Sequence, residues 1–479
     1  MAIALAAVIC LASGYLLISI GWPDSRPSRS LQVMKLSLAG GFGIGISSIS
    51  FFLARMFGTN HFVVWDITLL ASICALHYLA RPGFSAAFTA KAVIDFEIPL
   101  WLRRIVIAAF VFALMSASYS ATMRAITHPH GDGWDAFAIW NLHARLLFLG
   151  GSHWRDGFNA LIPWSHPDYP LLLPAATAHF WSYAGIDSPM LPAALGLVFT
   201  SSTLVLLVSS LFQLRGPNAA LVAGIALSST PFFAEHGATQ YADVPLSFFI
   251  LATIVLLHFG SHSGPETQSR RLNRCRALAG MAAGFAAWTK NEGLLFLTAL
   301  LFAFCLFSIT KESKDSAGEF SKPKQNLLAP TVLGAIPILA LIAWFKHSVA
   351  TSGDLLSTPE VMIHRILTPS RYGIILRWYA KEFLRFGDWW IFPGTVLLVA
   401  FYFLNREKGL SERDPLLRVS ITALTLTLAG YFAIYVITPL DLHWHLRFSL
   451  NRLFLQLWPA TIFLFFLSVG RQTPLNFSK

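Results

Sequence analysis

The sequence predicts an all-α, polytopic transmembrane helical bundle of about 13 spans, at roughly 20 apolar residues per span. Three observations predict it. Mean hydropathy is +0.60. Only 12% of the residues are charged and 55% are hydrophobic, whereas about 25% charge is usual for a soluble domain. Apolar runs recur along the whole chain of 479 residues and leave little sequence for a soluble domain. Composition therefore excludes a water-soluble protein. The four cysteines (Cys10, Cys74, Cys275 and Cys305) are widely spaced, so no disulfide framework or zinc signature is readable.

The expected spans are 2–21, 36–54, 62–80, 104–122, 190–213, 218–235, 243–260, 277–289, 293–310, 328–345, 389–405, 417–437 and 453–470. Asp66 is the one charge within the third span, and is expected to face the bundle. The run 163–185 is apolar but interrupted by Pro163, Pro167, Pro170 and Pro174. It is expected to lie along the membrane interface, because counting it as a span reverses the charge bias downstream.

A net charge of +11 could indicate nucleic acid or anionic lipid, depending on where the charges sit. With the N-terminus outside, 22 of the 35 Lys and Arg residues fall in inner segments, notably 269–276 and 311–324. This is the positive-inside bias of a membrane protein. Nucleic-acid binding is unnecessary. The orientation places connections 123–189, 349–388 and 438–452 outside, and any chemistry is expected there.

Five segments on the outer side, in these connections or at the mouths of spans, carry candidate residues. The first runs from His128 through Asp132, Trp134 and Asp135 to Gly150. Asp135 opens an expected helix that the Gly150–Gly151 pair stops. Phe137, Trp140, Ala144 and Leu147 give it an apolar stripe suited to the bilayer surface. Asp132 and Asp135 could simply cap this helix, but two carboxylates three residues apart exceed what capping needs. The second is His166-Pro-Asp168-Tyr169-Pro, a rigid turn. The third is Asp243-Val-Pro-Leu at the mouth of the seventh span, where capping is again the competing explanation. The fourth is Thr289-Lys290-Asn-Glu292, charges that could snorkel or pair.

The fifth runs from His443 to Pro459. His443 and His445 are two apart, a spacing that suits neither a helical metal pair nor a zinc signature. Arg447 and Arg452 are better read as anion holders, since guanidinium presents a fork to phosphate oxygens. No Walker loop, HExxH or GxSxG pattern occurs, which argues against ATP hydrolysis and common hydrolase chemistry.

In order and spacing, the five segments resemble the GT-C superfamily of integral-membrane glycosyltransferases, especially the family 39 / aminoarabinose-transferase-like branch. The matching positions are Asp135, His166–Pro170, Asp243-Val-Pro-Leu, Thr289-Lys290 and Arg452 with Pro459. Departures are Ala136 where the family often has a second carboxylate, His166 where it has Lys, and three added spans within 1–103. By this resemblance 104–470 is the catalytic domain, 1–103 adds N-terminal helices, and 471–479 is a cytoplasmic tail.

The implied activity is sugar transfer from a polyprenyl-phosphate donor to an acceptor hydroxyl of an envelope glycan, lipid or protein, at a bacterial inner (plasma) membrane. The resemblance casts Asp135 as base with Asp132 second, and Lys290, Arg452 and Arg447 as phosphate ligands. His166, Asp168, Tyr169, Asp243, Glu292 and Trp134 are supporting residues. It names no cofactor and leaves room for a divalent metal. The rival class is a transporter or flippase for a lipid-linked substrate, which would place ionisable groups at the bilayer midplane.

Overall fold

In the computed structural model, the described residues are 1–22, 28–80, 99–260, 268–312, 328–350, 358–389, 394–395, 398–399 and 414–469. All regular structure among them is helical, and the chain is a multi-pass membrane bundle. Among the described residues, eight helices are long and apolar enough to cross a bilayer. These are α1 (Ala2–Gly21), α2 (Arg29–Met56), α3 (Phe62–Leu79), α4 (Leu100–Thr127), α7 (Met190–Arg215), α13 (Leu328–Ser348), α16 (Pro415–Ile437) and α17 (Leu442–Ser468). Between them lie α5 (Asn141–Leu149), α6 (Leu172–Ala184), α8 (Pro217–Ser228), α9 (Pro231–His236), α10 (Asp243–Gly260), α11 (Gln268–Thr289) and α12 (Asn291–Glu312). Two amphipathic helices, α14 (Pro359–Ile366) and α15 (Pro369–Arg385), follow α13.

Two expected runs take a different form. The run 218–235 is not one continuous helix: it breaks at Ser229–Thr230, because Pro231 has no N–H to continue the ladder. The expected span 389–405 lies largely outside the described residues. The run 163–185, expected at the interface, forms α6, whose residues Leu172 to Trp181 are all buried by protein. A helix apolar on every side is best satisfied inside a bundle, and α6 packs between α2 and α5. The stripe on α5 changes with it. Trp140, Ala144 and Leu147 point into the core and only Phe137 remains exposed, so the stripe faces protein and not lipid.

Helices in lipid gain little from apolar contact alone, so close backbone approach and polar ties matter. At the α11–α13 crossing a Cβ on Gly280 would lie 1.8 Å from the Thr331 carbonyl oxygen, and one on Gly334 1.9 Å from that of Ala277. Only glycine fits there. The buried residues of α3 are Asp66 and Ile73. The Asp66 carboxylate accepts from Ser50 of α2 at 2.6 Å and from Tyr183 of α6 at 2.6 Å, and meets His179 Nε2 at 2.8 Å. One carboxylate thus ties an otherwise lipid-facing helix to the bundle.

Candidate active site

The connection before α5 turns sharply at Gly131 and Gly133, with φ of 88° and 94°, values that favour glycine. Gln240 stitches this turn to the body: its amide donates to the Pro129 carbonyl at 2.8 Å and accepts from Asn141 at 2.7 Å. Asp135 then leads a single π-turn, Ala136–Trp140, before α5 begins. Such turns recur at functional sites because they re-aim one side chain. The Asp135 side chain makes no capping hydrogen bond. It reaches Arg452 instead, 2.7 Å from Nη2.

Arg452, on α17, bridges two carboxylates. Its Nε donates to Asp243 at 2.8 Å while Nη2 holds Asp135. Its guanidinium also lies over the Tyr241 ring, 4.5 Å from the centroid. Asp243 opens α10 and is fully buried. Such a carboxylate is tolerable only with several donors. Besides Arg452 it has Lys290 Nζ at 3.2 Å and Gln456 Nε2 at 2.6 Å, and Tyr431 donates onward to Gln456 at 2.7 Å. Lys290, between α11 and α12, also pairs with Glu292 at 2.7 Å. Burial would pull the Lys290 ammonium down, but Asp243 and Glu292 outweigh it and hold the group above its ordinary value. Burial likewise pushes the Tyr241 hydroxyl up to about 12, with Asp135 adding and Arg452 opposing.

Asp135, Asp243, Lys290, Glu292 and Arg452, from distant parts of the chain, therefore form one network. Three are carboxylates and two are cations. Tyr169 adjoins it, stacked between Trp140 at 5.6 Å and His166 at 4.7 Å. Its hydroxyl is pushed well up by burial and by Glu292, Asp135 and Asp168. Asp168 sits in a neighbouring cluster with Asn291 and Lys346.

Three candidate residues stand apart. Asp132 pairs with Arg124 at 2.6 Å, and Arg124 also binds Glu235. Arg447 is exposed on the outside of α17, against Phe448. Trp134 is exposed too, packed edge-to-face on Phe137 and Trp164. Gln456, Tyr431, Tyr241, Asn291 and Lys346 are site residues the sequence analysis missed. Gln456 had a signal, being four residues beyond Arg452 and hence on its helix face. Among the described residues no group of three His, Cys, Asp or Glu side chains is arranged to hold a metal ion.

A family model described as dolichyl-phosphate-mannose-protein mannosyltransferase matches residues 171–347. That stretch runs from the start of α6 to the last turn of α13. It includes Asp243, Lys290 and Glu292, but neither Asp135 nor Arg452. The match covers less than half of the chain and supports a membrane glycosyltransferase. No curated protein and no solved structure matches the chain.

Proposed function

We propose that the chain transfers a sugar from a polyprenyl-phosphate donor to an acceptor hydroxyl on the outer face of the membrane. The observation that carries this reading is Arg452, one guanidinium shared by the buried Asp243 and the more accessible Asp135. Asp243 holds the Nε edge, so the Nη groups are already aimed towards Asp135. A donor phosphate arriving there competes with Asp135 for the same fork. Once the phosphate takes it, Asp135 is released as a free carboxylate beside the reacting sugar.

The acceptor oxygen then attacks the anomeric carbon while the bond from that carbon to the phosphate oxygen breaks. The phosphate keeps the electron pair, and Arg452 and Lys290 stabilise the added charge. The acceptor proton passes to Asp135. The resting ion pair thus keeps the base masked until the donor is bound.

The test is transfer from defined polyprenyl-phosphate sugars by purified variants. Asp135→Asn preserves shape and cannot take a proton, so turnover is expected to fall about 100-fold or more with donor binding retained. Arg452→Ala and Lys290→Ala are expected to weaken donor binding instead. Near-normal turnover in Asp135→Asn would remove Asp135 as the base.

A further inference from the structure

The carboxylate of Asp168 is nearly enclosed, with the residue 9% exposed. The protein approaches it from one side. Asn291 Nδ2 donates to Oδ2 at 2.9 Å, and Lys346 Nζ lies 3.2 Å from the same oxygen. Lys346 also donates to the Asp168 carbonyl and, at 3.0 Å, to the Asn291 side-chain oxygen, so the three groups brace one another. Oδ1 is buried and has no hydrogen-bond partner among the described residues. A buried carboxylate oxygen without a donor is costly and rare, and calls for a group that completes it.

The place of this oxygen narrows what that group is. Asn291 is flanked by Lys290 and Glu292, both in the Arg452 network, so one short turn serves both clusters. Tyr169, the next residue along, lies within the fields of Asp135, Glu292 and Arg452. The Asp168 cluster therefore adjoins the network assigned above to the donor. A carboxylate repels phosphate. The matching ligand group is a neutral hydrogen-bond donor, and a sugar hydroxyl is one.

We infer that Asp168 is a sugar-recognising residue whose Oδ1 accepts a hydrogen bond from one hydroxyl of the transferred sugar. This rests on the transferase reading above. It deepens that reading by assigning sugar selection to the Asp168 cluster and phosphate binding to Arg452 and Lys290. Hydroxyl recognition by a buried carboxylate discriminates strongly, because the analogue lacking the hydroxyl leaves the carboxylate oxygen unpaired.

The experiment is a cycle between residue and hydroxyl. Polyprenyl-phosphate mannose, glucose, galactose and aminoarabinose are tried first with the wild-type protein, followed by each monodeoxy analogue of the accepted sugar. One deoxy position is expected to lose roughly 10- to 100-fold in kcat/KM. In Asp168→Ala that penalty should shrink to about twofold while penalties at the other positions stay. Asp168→Asn, which keeps the shape and a neutral acceptor, should give an intermediate penalty at the same position and serves if the alanine variant does not fold. Identical deoxy penalties in wild type and variants would overturn the inference, leaving Oδ1 to a buried water. No transfer from any sugar in the wild type would sink the transferase reading itself, and this inference with it.

Discussion

Arg452 and Gln456 are four residues apart on α17, which is why both reach the single carboxylate of Asp243. Gln456 is held in turn by the Tyr431 hydroxyl. Gln456→Leu would therefore take one donor from Asp243 and leave the Tyr431 hydroxyl unpaired. Such a loss costs about 1–3 kcal/mol. The expected outcome is a donor KM raised roughly 10-fold, at that energy, with helical content unchanged, measured by transfer kinetics and circular dichroism. The five charged members of this network were conspicuous in the sequence because each stands at the edge of an apolar run. Gln456 was not, since it lies between Leu455 and Leu457 and reads as an ordinary residue in a span. Asp132, ranked second to Asp135, was kept as a candidate for a different reason. Three-residue spacing puts both near one helix start, and only the folded turn sends one to Arg124 and the other to Arg452.

At the scale of elements, most spans were readable because a long apolar run has few alternatives to a membrane helix. What sequence could not show was which apolar surface meets lipid and which meets protein. Both are equally greasy, and so the α5 stripe was expected at the bilayer surface and the run 163–185 along the interface, although protein buries most of that stripe and of α6. The α11–α13 crossing makes a sharper test of element packing. Gly280→Val would drive a branched side chain into the Thr331 carbonyl and push the two helices apart. Overpacking of this kind costs about 1–3 kcal/mol. A lowered thermal midpoint in detergent is expected, together with reduced transfer, because α11 delivers Lys290 at its end. Gly280→Ala should show the same effects more weakly. An unchanged midpoint for both would mean that the helices are not in contact there.

For the molecule as a whole, the proposed topology, read from the positive charge bias, puts the Asp135–Arg452 end of the bundle outside. Single cysteines introduced at 152 and 443 should react with an impermeant maleimide in intact cells or spheroplasts. Labelling only after permeabilisation would invert the proposed topology. The charge count of the network has a consequence for turnover. Three carboxylates against two cations leave one excess negative charge. The proposed donor is a phosphodiester with a single charge, whereas the spent carrier is a phosphomonoester carrying close to two at neutral pH. A pocket already in anionic surplus tolerates the first better than the second. Re-pairing of Asp135 with Arg452, once the base has shed its proton, would then expel the spent carrier into the bilayer and ready the pocket for the next donor.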